Sequence, residues 1–242
     1  MPPSPPNPPL PAPGSAVRLT GISSMATRAV LNELAAAYPQ PGVAVLIESV
    51  GGVDAAKRVQ AGEAFDIVVL AADAIDRLIA SGQVLAGSRL DLVHSGVAVA
   101  VRSGTPWPDL GSEDAVRRAV LAAPSIGFST GPSGVALQKL FERWGIADQL
   151  AGRLVQAPPG VPVGGLVASG KVALGFQQLS ELLNVEGIAV VGPLPPAIQI
   201  NTTFTVGLCT ASTQAPALQG LLAYLRSPAA ASVYQRHGMT PA

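Results

Sequence analysis

The chain has 242 residues with 15 basic and 15 acidic side chains, so no charge excess marks a nucleic-acid partner or an anionic membrane surface. Aromatic residues make up 4%, too few for platforms that stack bases or sugars, whereas 48% hydrophobic residues suffice for one large core or two lobes. Cys209 is the single cysteine, and only His94 and His237 accompany it, which excludes an intrachain disulfide and a cysteine-built zinc site; no metal and no cofactor is expected.

The first stretch, "MPPSPPNPPLPAPGSA", has neither the cationic start nor the apolar run of a secretory leader. Its prolines favour extended, solvated chain, so residues 1–15 are expected to form a disordered tail. As it stands the sequence reads as cytoplasmic, and as periplasmic only if a leader has been removed or the start miscalled. No segment is long and apolar enough to span a bilayer. The richest candidate, "ALGFQQLSELLNVEGIAVVG", is interrupted by Gln177, Gln178, Ser180, Glu181 and Asn184.

Strands and helices then alternate. A strand at 16–22 is followed by a helix predicted over 23–39, with Met25, Ala29, Leu31, Leu34 and Tyr38 on its apolar stripe. A strand at 42–49 precedes a short helix at 53–62. The run "FDIVVLA" (65–71) has the unbroken apolar character of a strand covered on both faces, and a helix follows at 73–84. Such a β-α-β-α-β-α series implies right-handed crossovers and a parallel sheet. "DLVHSGVAVAVRSG" (91–104) predicts a longer strand leading elsewhere. Helices at 113–123 and 133–144 then flank the strand "SIGFS", and a weak helix at 162–170 precedes the strand "KVALGFQ" and the short helix "QLSELLN". The segment "INTTFTVGLCT" (200–210) predicts a strand returning to the first lobe, closed by two C-terminal helices. The expected architecture is α/β and two-lobed, each lobe a mainly parallel sheet flanked by helices, with lobe 1 at 16–93 and 200–242 and lobe 2 at 94–199. A cleft between two such lobes is a natural ligand site.

Three strand-to-helix junctions share one chemistry: Gly21-Ile22-Ser23-Ser24, Glu48-Ser49-Val50-Gly51-Gly52, and Thr130-Gly131-Pro132-Ser133-Gly134. Each puts small hydroxyls and bare N–H groups at the positive end of a helix, a geometry suited to an anion. Serine caps and turn glycines are also ordinary structure. Their recurrence at the carboxyl ends of strands in both lobes favours an anion site.

On "SSM", "AAKRVQAGEAFDIVVLAAD", "GPSGVALQKLFERWG", "VASGKVALGFQQLSE" and "LRSPAAASVYQRHGM", the chain resembles the molybdate-binding, type 2 periplasmic solute-binding proteins of ABC transporters. The resemblance runs from about Val17 to Thr240 and implies two α/β lobes joined by crossing strands that close on an oxyanion. Residue by residue it implies ligand contacts at Ser23 and Ser24, at the second loop where Gly51 and Gly52 replace a serine cluster, at the main chain of Ser133, and near Val161. The tyrosine of the molybdate site falls at Gln177 or Gln178, so that hydroxyl is absent. Glycines make room and glutamine amides supply both donors and acceptors, which suits an organic di- or tricarboxylate better than molybdate.

Two functions are therefore expected. The leading one is a solute-binding protein that holds a small anion and, if exported, hands it to an ABC transporter permease. The alternative is an isomerase, because aconitate isomerase is similar to this family and the scaffold can host proton transfer on a tricarboxylate. Such chemistry needs a base and donors for the developing negative charge. His94, in "LVHSG" where the crossing strand begins, is the candidate catalytic base; His237 in the closing helix reads as packing or cap. Arg18, Arg28, Lys57 and Arg89 are the cations near predicted loops that could face the ligand.

Overall fold

The computed structural model describes Val17–Ala242, and the expected tail at 1–15 lies outside the described residues. Among the described residues, ten strands and nine α-helices follow the alternation read from the sequence. They are β1 (Val17–Ser24), α1 (Arg28–Ala36), β2 (Val43–Val50), α2 (Gly52–Gln60), β3 (Ile67–Ala71), α3 (Ala72–Ala80), β4 (Leu90–Arg102), α4 (Glu113–Ala122), β5 (Ile126–Phe128) and α5 (Pro132–Arg143). After these come β6 (Leu154–Gln156), α6 (Val163–Ala168), β7 (Leu174–Gln178), α7 (Leu179–Leu182), β8 (Ile188–Pro193), β9 (Asn201–Leu208), α8 (Ala215–Leu225), α9 (Pro228–Arg236) and β10 (Met239–Pro241).

The sheet path is β2-β1-β3-β9-β4-β7-β5-β6, with β8 and β10 also on β4. Parallel pairing is confined to the two ends of that path, β2-β1-β3 in one lobe and β7-β5-β6 in the other. The crossing strands supply antiparallel joints: β9 runs against β3 and β4, and β4 against β7, β8 and β10. The sheets are more mixed than a βαβ reading alone suggests, because strands passing between lobes must enter each sheet from the opposite direction.

β4 is long because it serves both lobes. Its residues up to Gly96 pair with β9, and from Val97 onward they pair with β7 and β8. At the changeover the Val97 N–H is shared between the Ile200 carbonyl (3.0 Å) and Gln199 Oε1 (3.1 Å), and Gln199 Oε1 also accepts from the Ile200 N–H (2.8 Å). Separate cores sit on either side. One gathers Leu19, Leu31, Leu34, Val69, Phe204, Leu221 and Tyr234; the other gathers Val99, Ile126, Phe141, Leu150, Leu174 and Phe176.

The first and third helices end at Ala36 and Ala80, short of the expected 39 and 84, and the largest difference is at the start of the first. The first helix does not begin at Ser23: the backbone stays extended through Ser24, makes one 3-10 turn at Met25–Thr27, and becomes α-helical only at Arg28. Ser23 and Ser24 instead complete the ladder with Ser49 and Val50 of β2. The ladder outweighs the helical spacing of the apolar residues there.

Candidate functional site

A cavity of about 290 Å³ lies between the lobes, near the lower end of the roughly 300–1,000 Å³ common for small-molecule sites. It sits where the carboxyl ends of β1, β3, β7 and their loops face the start of α5. Of the sequence-expected contacts, Ser24, Gly51, Gly52, Ser133, Val161, Gln177 and Gln178 all line it. Ser23 does not. It is wholly buried behind the wall, its Oγ 2.7 Å from Ser49 Oγ.

Three helices of eight or more residues begin on the cavity wall, and none has a side-chain cap. The N-cap residues are Gly51 for α2, Ala71 for α3 and Gly131 for α5. Away from the cavity, α4 and α9 are capped by Ser112 and Ser227. A serine at those wall positions would turn a hydroxyl onto the first-turn N–H groups; glycine and alanine leave them available to a ligand.

The loop "STGPSG" after β5 is shaped by one glycine. A Cβ at Gly134 would stand 1.8 Å from the carbonyl oxygen of Ser129, so only glycine lets α5 turn this tightly off the strand end. Pro132 starts the helix where its missing N–H costs nothing. Ser129 and Ser133 face each other across the turn at 3.3 Å between hydroxyls. On the opposite lobe a Cβ at Gly52 would meet Ser24 Cβ at 3.5 Å, and one at Gly51 would lie 3.7 Å from the Gly160 nitrogen, so Gly51 and Gly160 are facing lips of the cleft.

The back wall is polar and buried. Gln178 donates through Nε2 to Thr202 Oγ1 at 2.8 Å, tying β7 to β9. Ser180 donates to the Ala26 carbonyl at 2.9 Å, tying α7 to the turn after β1. Gln177 accepts from the Gly164 N–H (3.2 Å) and donates through Nε2 to Glu181 Oε1 (2.7 Å). Two buried atoms of this wall have no partner: Ser24 Oγ and Gln178 Oε1. An unmet buried polar atom costs about 1–3 kcal/mol, and both belong to residues that face the cavity.

Glu181 is a cavity side chain that the sequence reading did not single out. It lines the cavity and bonds Gln177, the only hydrogen-bond partner of its carboxyl among the described residues. Burial pushes its pKa up to about 7, against a smaller lowering by the Gln177 hydrogen bond. Of the four cations considered from sequence, Lys57 lines the cavity and makes no ion pair among the described residues, while Arg89 is bound to Asp76 and Asp91. Arg77, not among the four, stands at the rim in an i,i+4 pair with Asp73.

His94 does not stand at the cavity. It is exposed on β4, its Nδ1 2.9 Å from Thr203 Oγ1 and its backbone opposite Thr203 and Thr240. Its neighbour Ser95 is wholly buried opposite Thr202, which does line the cavity. Alternation along the strand therefore turns the imidazole to the outer face. His237 is the C-cap residue of α9, with its Nε2 2.7 Å from Glu33 Oε2.

The family described as bacterial extracellular solute-binding protein matches residues 19–240. The chain belongs to that family. Aconitate isomerase of a Pseudomonas species is 37% identical over 230 residues, covering 92% of this chain and 87% of that one. Among solved structures, the periplasmic molybdate-binding protein of Azotobacter vinelandii superposes with a TM-score of 0.76 at 21% identity, covering 92% of this chain and 98% of its own. The sulfate-binding protein of Mycobacterium tuberculosis H37Rv gives 0.77 at 16% identity, with 93% and 87% covered. The two-lobed solute-binding fold is thus shared across proteins that differ in what they hold. No helix among the described residues is long and apolar enough to cross a membrane.

Proposed function

We propose that the cleft holds a small organic di- or tricarboxylate, and that the protein isomerises a tricarboxylate by moving a proton. The observation that carries this reading is the donor set of the cavity. The free hydroxyl of Ser24, the uncapped starts of α2 and α5, and the ammonium of Lys57 are spread over both lobes. Several separated anionic groups on one molecule match that spread. A single tetrahedral oxyanion needs a tight ring of donors, and this wall has glycine at Gly51 and Gly52 and an amide nitrogen of Gln177 already given to Glu181. The aconitate isomerase relative, alike over nearly the whole chain, supports the tricarboxylate and the isomerisation.

Binding orients the substrate so that a carbon beside a carboxylate faces a proton acceptor, and the hydroxyl and backbone donors hold the negative charge as that proton leaves. Negative charge gathered on a carboxylate oxygen is the species such donors stabilise most. The second reading, a binding protein that carries the anion to an ABC transporter permease, draws support from the family itself and from the facing lips Gly51 and Gly160. It needs export and no chemistry.

Titration of the protein with cis- and trans-aconitate, citrate, molybdate and tungstate tests the ligand class. The tricarboxylates should raise the melting temperature, since a ligand that binds only the folded state stabilises it. Aconitate recovered after overnight incubation should have a changed cis:trans ratio. Stabilisation by molybdate alone would refute the reading; stabilisation by aconitate with an unchanged ratio would leave the transport reading.

A further inference from the structure

We propose that Glu181, at the start of α7 on the cavity's back wall, is the group that takes the proton from the substrate and returns it. This rests on the isomerase reading above, and it names the residue on which that reaction turns. The first support is elimination within the wall. Among the side chains lining the cavity, none is histidine, aspartate, cysteine or tyrosine, and only Glu181, Lys57 and Arg77 are ionisable. Lys57 and Arg77 rise from α2 and α3 as cations suited to holding carboxylates, and Arg77 is already paired with Asp73.

Geometry is the second support. Gln177 holds one oxygen of Glu181 at 2.7 Å and is itself fixed by the Gly164 N–H, so the carboxyl is aimed rather than free to swing. Its other oxygen has no protein partner among the described residues. Ser24 lines the same cavity, and its buried, unpartnered hydroxyl is a donor within reach of charge that develops when a proton is lost.

The proton count closes without any co-reactant. A propene-tricarboxylate has a CH2 and a vinylic CH on either side of one carbon. Glu181 as carboxylate removes a proton from the CH2; the C–H bond breaks and its electron pair spreads over the three-carbon unit and an adjacent carboxylate. The neutral carboxylic acid then gives the proton to the former vinylic carbon, its O–H bond breaks, and the double bond has moved one place. The chain regains its ionised Glu181, the skeleton is unchanged, and the new double bond can have either geometry. Nothing is oxidised or reduced.

Such a group must change protonation near neutral pH, and burial puts Glu181 at about 7. α7 packs chiefly against β4, β7 and the turn at Met25–Thr27. β7 and the turn carry no titratable group. On β4, Asp91 is bound by Thr205 and Arg89, His94 points to the outer face toward Thr203, and Arg102 is exposed at the far end. Across the cavity stand only Lys57 and Arg77. None of these is a charged partner of the Glu181 carboxyl.

Glu181→Gln and Glu181→Asp in the full chain provide the test, with trans-aconitate as probe in deuterium oxide. Glu181→Gln keeps the Gln177 contact, so trans-aconitate affinity should stay within about threefold while turnover and deuterium uptake fall by about a hundredfold or more. Glu181→Asp, a shorter base, should retain a fraction of turnover. Wild-type kcat/KM should rise through about pH 7, and the residual rate of Glu181→Gln should lose that rise. If wild type turns trans-aconitate over and Glu181→Gln does so equally, Glu181 is not the base and the isomerase reading stands. If wild type binds trans-aconitate but neither turns it over nor takes up deuterium at any pH, both fall together. Should Glu181→Gln misfold by circular dichroism, the Glu181→Asp rate and the wild-type pH profile decide: an Asp variant as fast as wild type, or a flat profile, overturns the assignment.

Discussion

Replacing Glu181 by glutamine should change how stability depends on pH, independently of any ligand. Burial lifts the Glu181 carboxyl from an ordinary 4.5 to about 7 in the folded protein, and unfolding returns it to water. The folded state therefore holds that proton more tightly than the unfolded state does. The stabilisation is fully present below about pH 4.5 and is lost as pH rises through about 7, where folding must bury a charge. The gap between 4.5 and about 7 is worth about 3 kcal/mol at roughly 1.4 kcal/mol per pH unit. The exposed carboxylates of Glu33, Glu48, Glu63 and Glu113 are pulled the other way by their hydrogen bonds, but both proteins carry them and they cancel in the difference. Urea unfolding of ligand-free wild type and Glu181→Gln between pH 4.5 and 8 reads the effect. Wild type should lose about 3 kcal/mol relative to the variant across that range. Curves that stay parallel within about 0.5 kcal/mol would mean that the carboxyl is solvated in the folded state, and would remove the basis for its poise.

Three further substitutions probe the rest of the site. Ser24→Ala should leave the fold intact, since the hydroxyl has no protein partner, and weaken tricarboxylate binding by roughly 1–2 kcal/mol in a calorimetric titration; unchanged affinity would move the ligand away from β1. Gly134→Ala should cost about 1–3 kcal/mol of unfolding free energy, because the clash is with the Ser129 backbone and cannot be relieved by a side-chain rotation; a neutral effect would mean that the turn after β5 is looser than described. His94→Gln should leave turnover within about twofold of wild type, far from the hundredfold loss of a missing general base; a large loss would place the imidazole in the reaction despite its outward position on β4.

Much of this site is written locally in the sequence. Ser24, Gly51, Gly52 and Ser133 fall at strand-to-helix junctions, and such junctions in an α/β fold gather at one edge of the sheet, so small residues there are readable as cavity wall. Gln177 and Gln178 stand out because two amides end an apolar strand. His94 was not readable, because its face depends on pairing: β4 has a register irregularity against β9 between Asp91 and Val93, and one displaced residue reverses inside and outside. Glu181 hid for another reason. On a four-residue helix it looks like any solvated charge, and its burial comes from α7 packing against β4 and the turn after β1, which are distant in sequence. The late start of α1 belongs to the same class, since the ladders to Ser49 and Val50 of β2 and to Val69 of β3 keep Ser23 and Ser24 extended.

Proton NMR of trans-aconitate incubated with a catalytic amount of the protein in deuterium oxide is the most direct test of tricarboxylate isomerisation in the cleft. The account predicts that cis-aconitate signals grow in to a fixed ratio, that the same ratio is reached from cis-aconitate, and that the CH2 and vinylic signals lose intensity to deuterium as they do so. An unchanged spectrum of trans-aconitate, at protein concentrations that demonstrably bind it, would contradict the isomerase and leave a protein that only carries its anion.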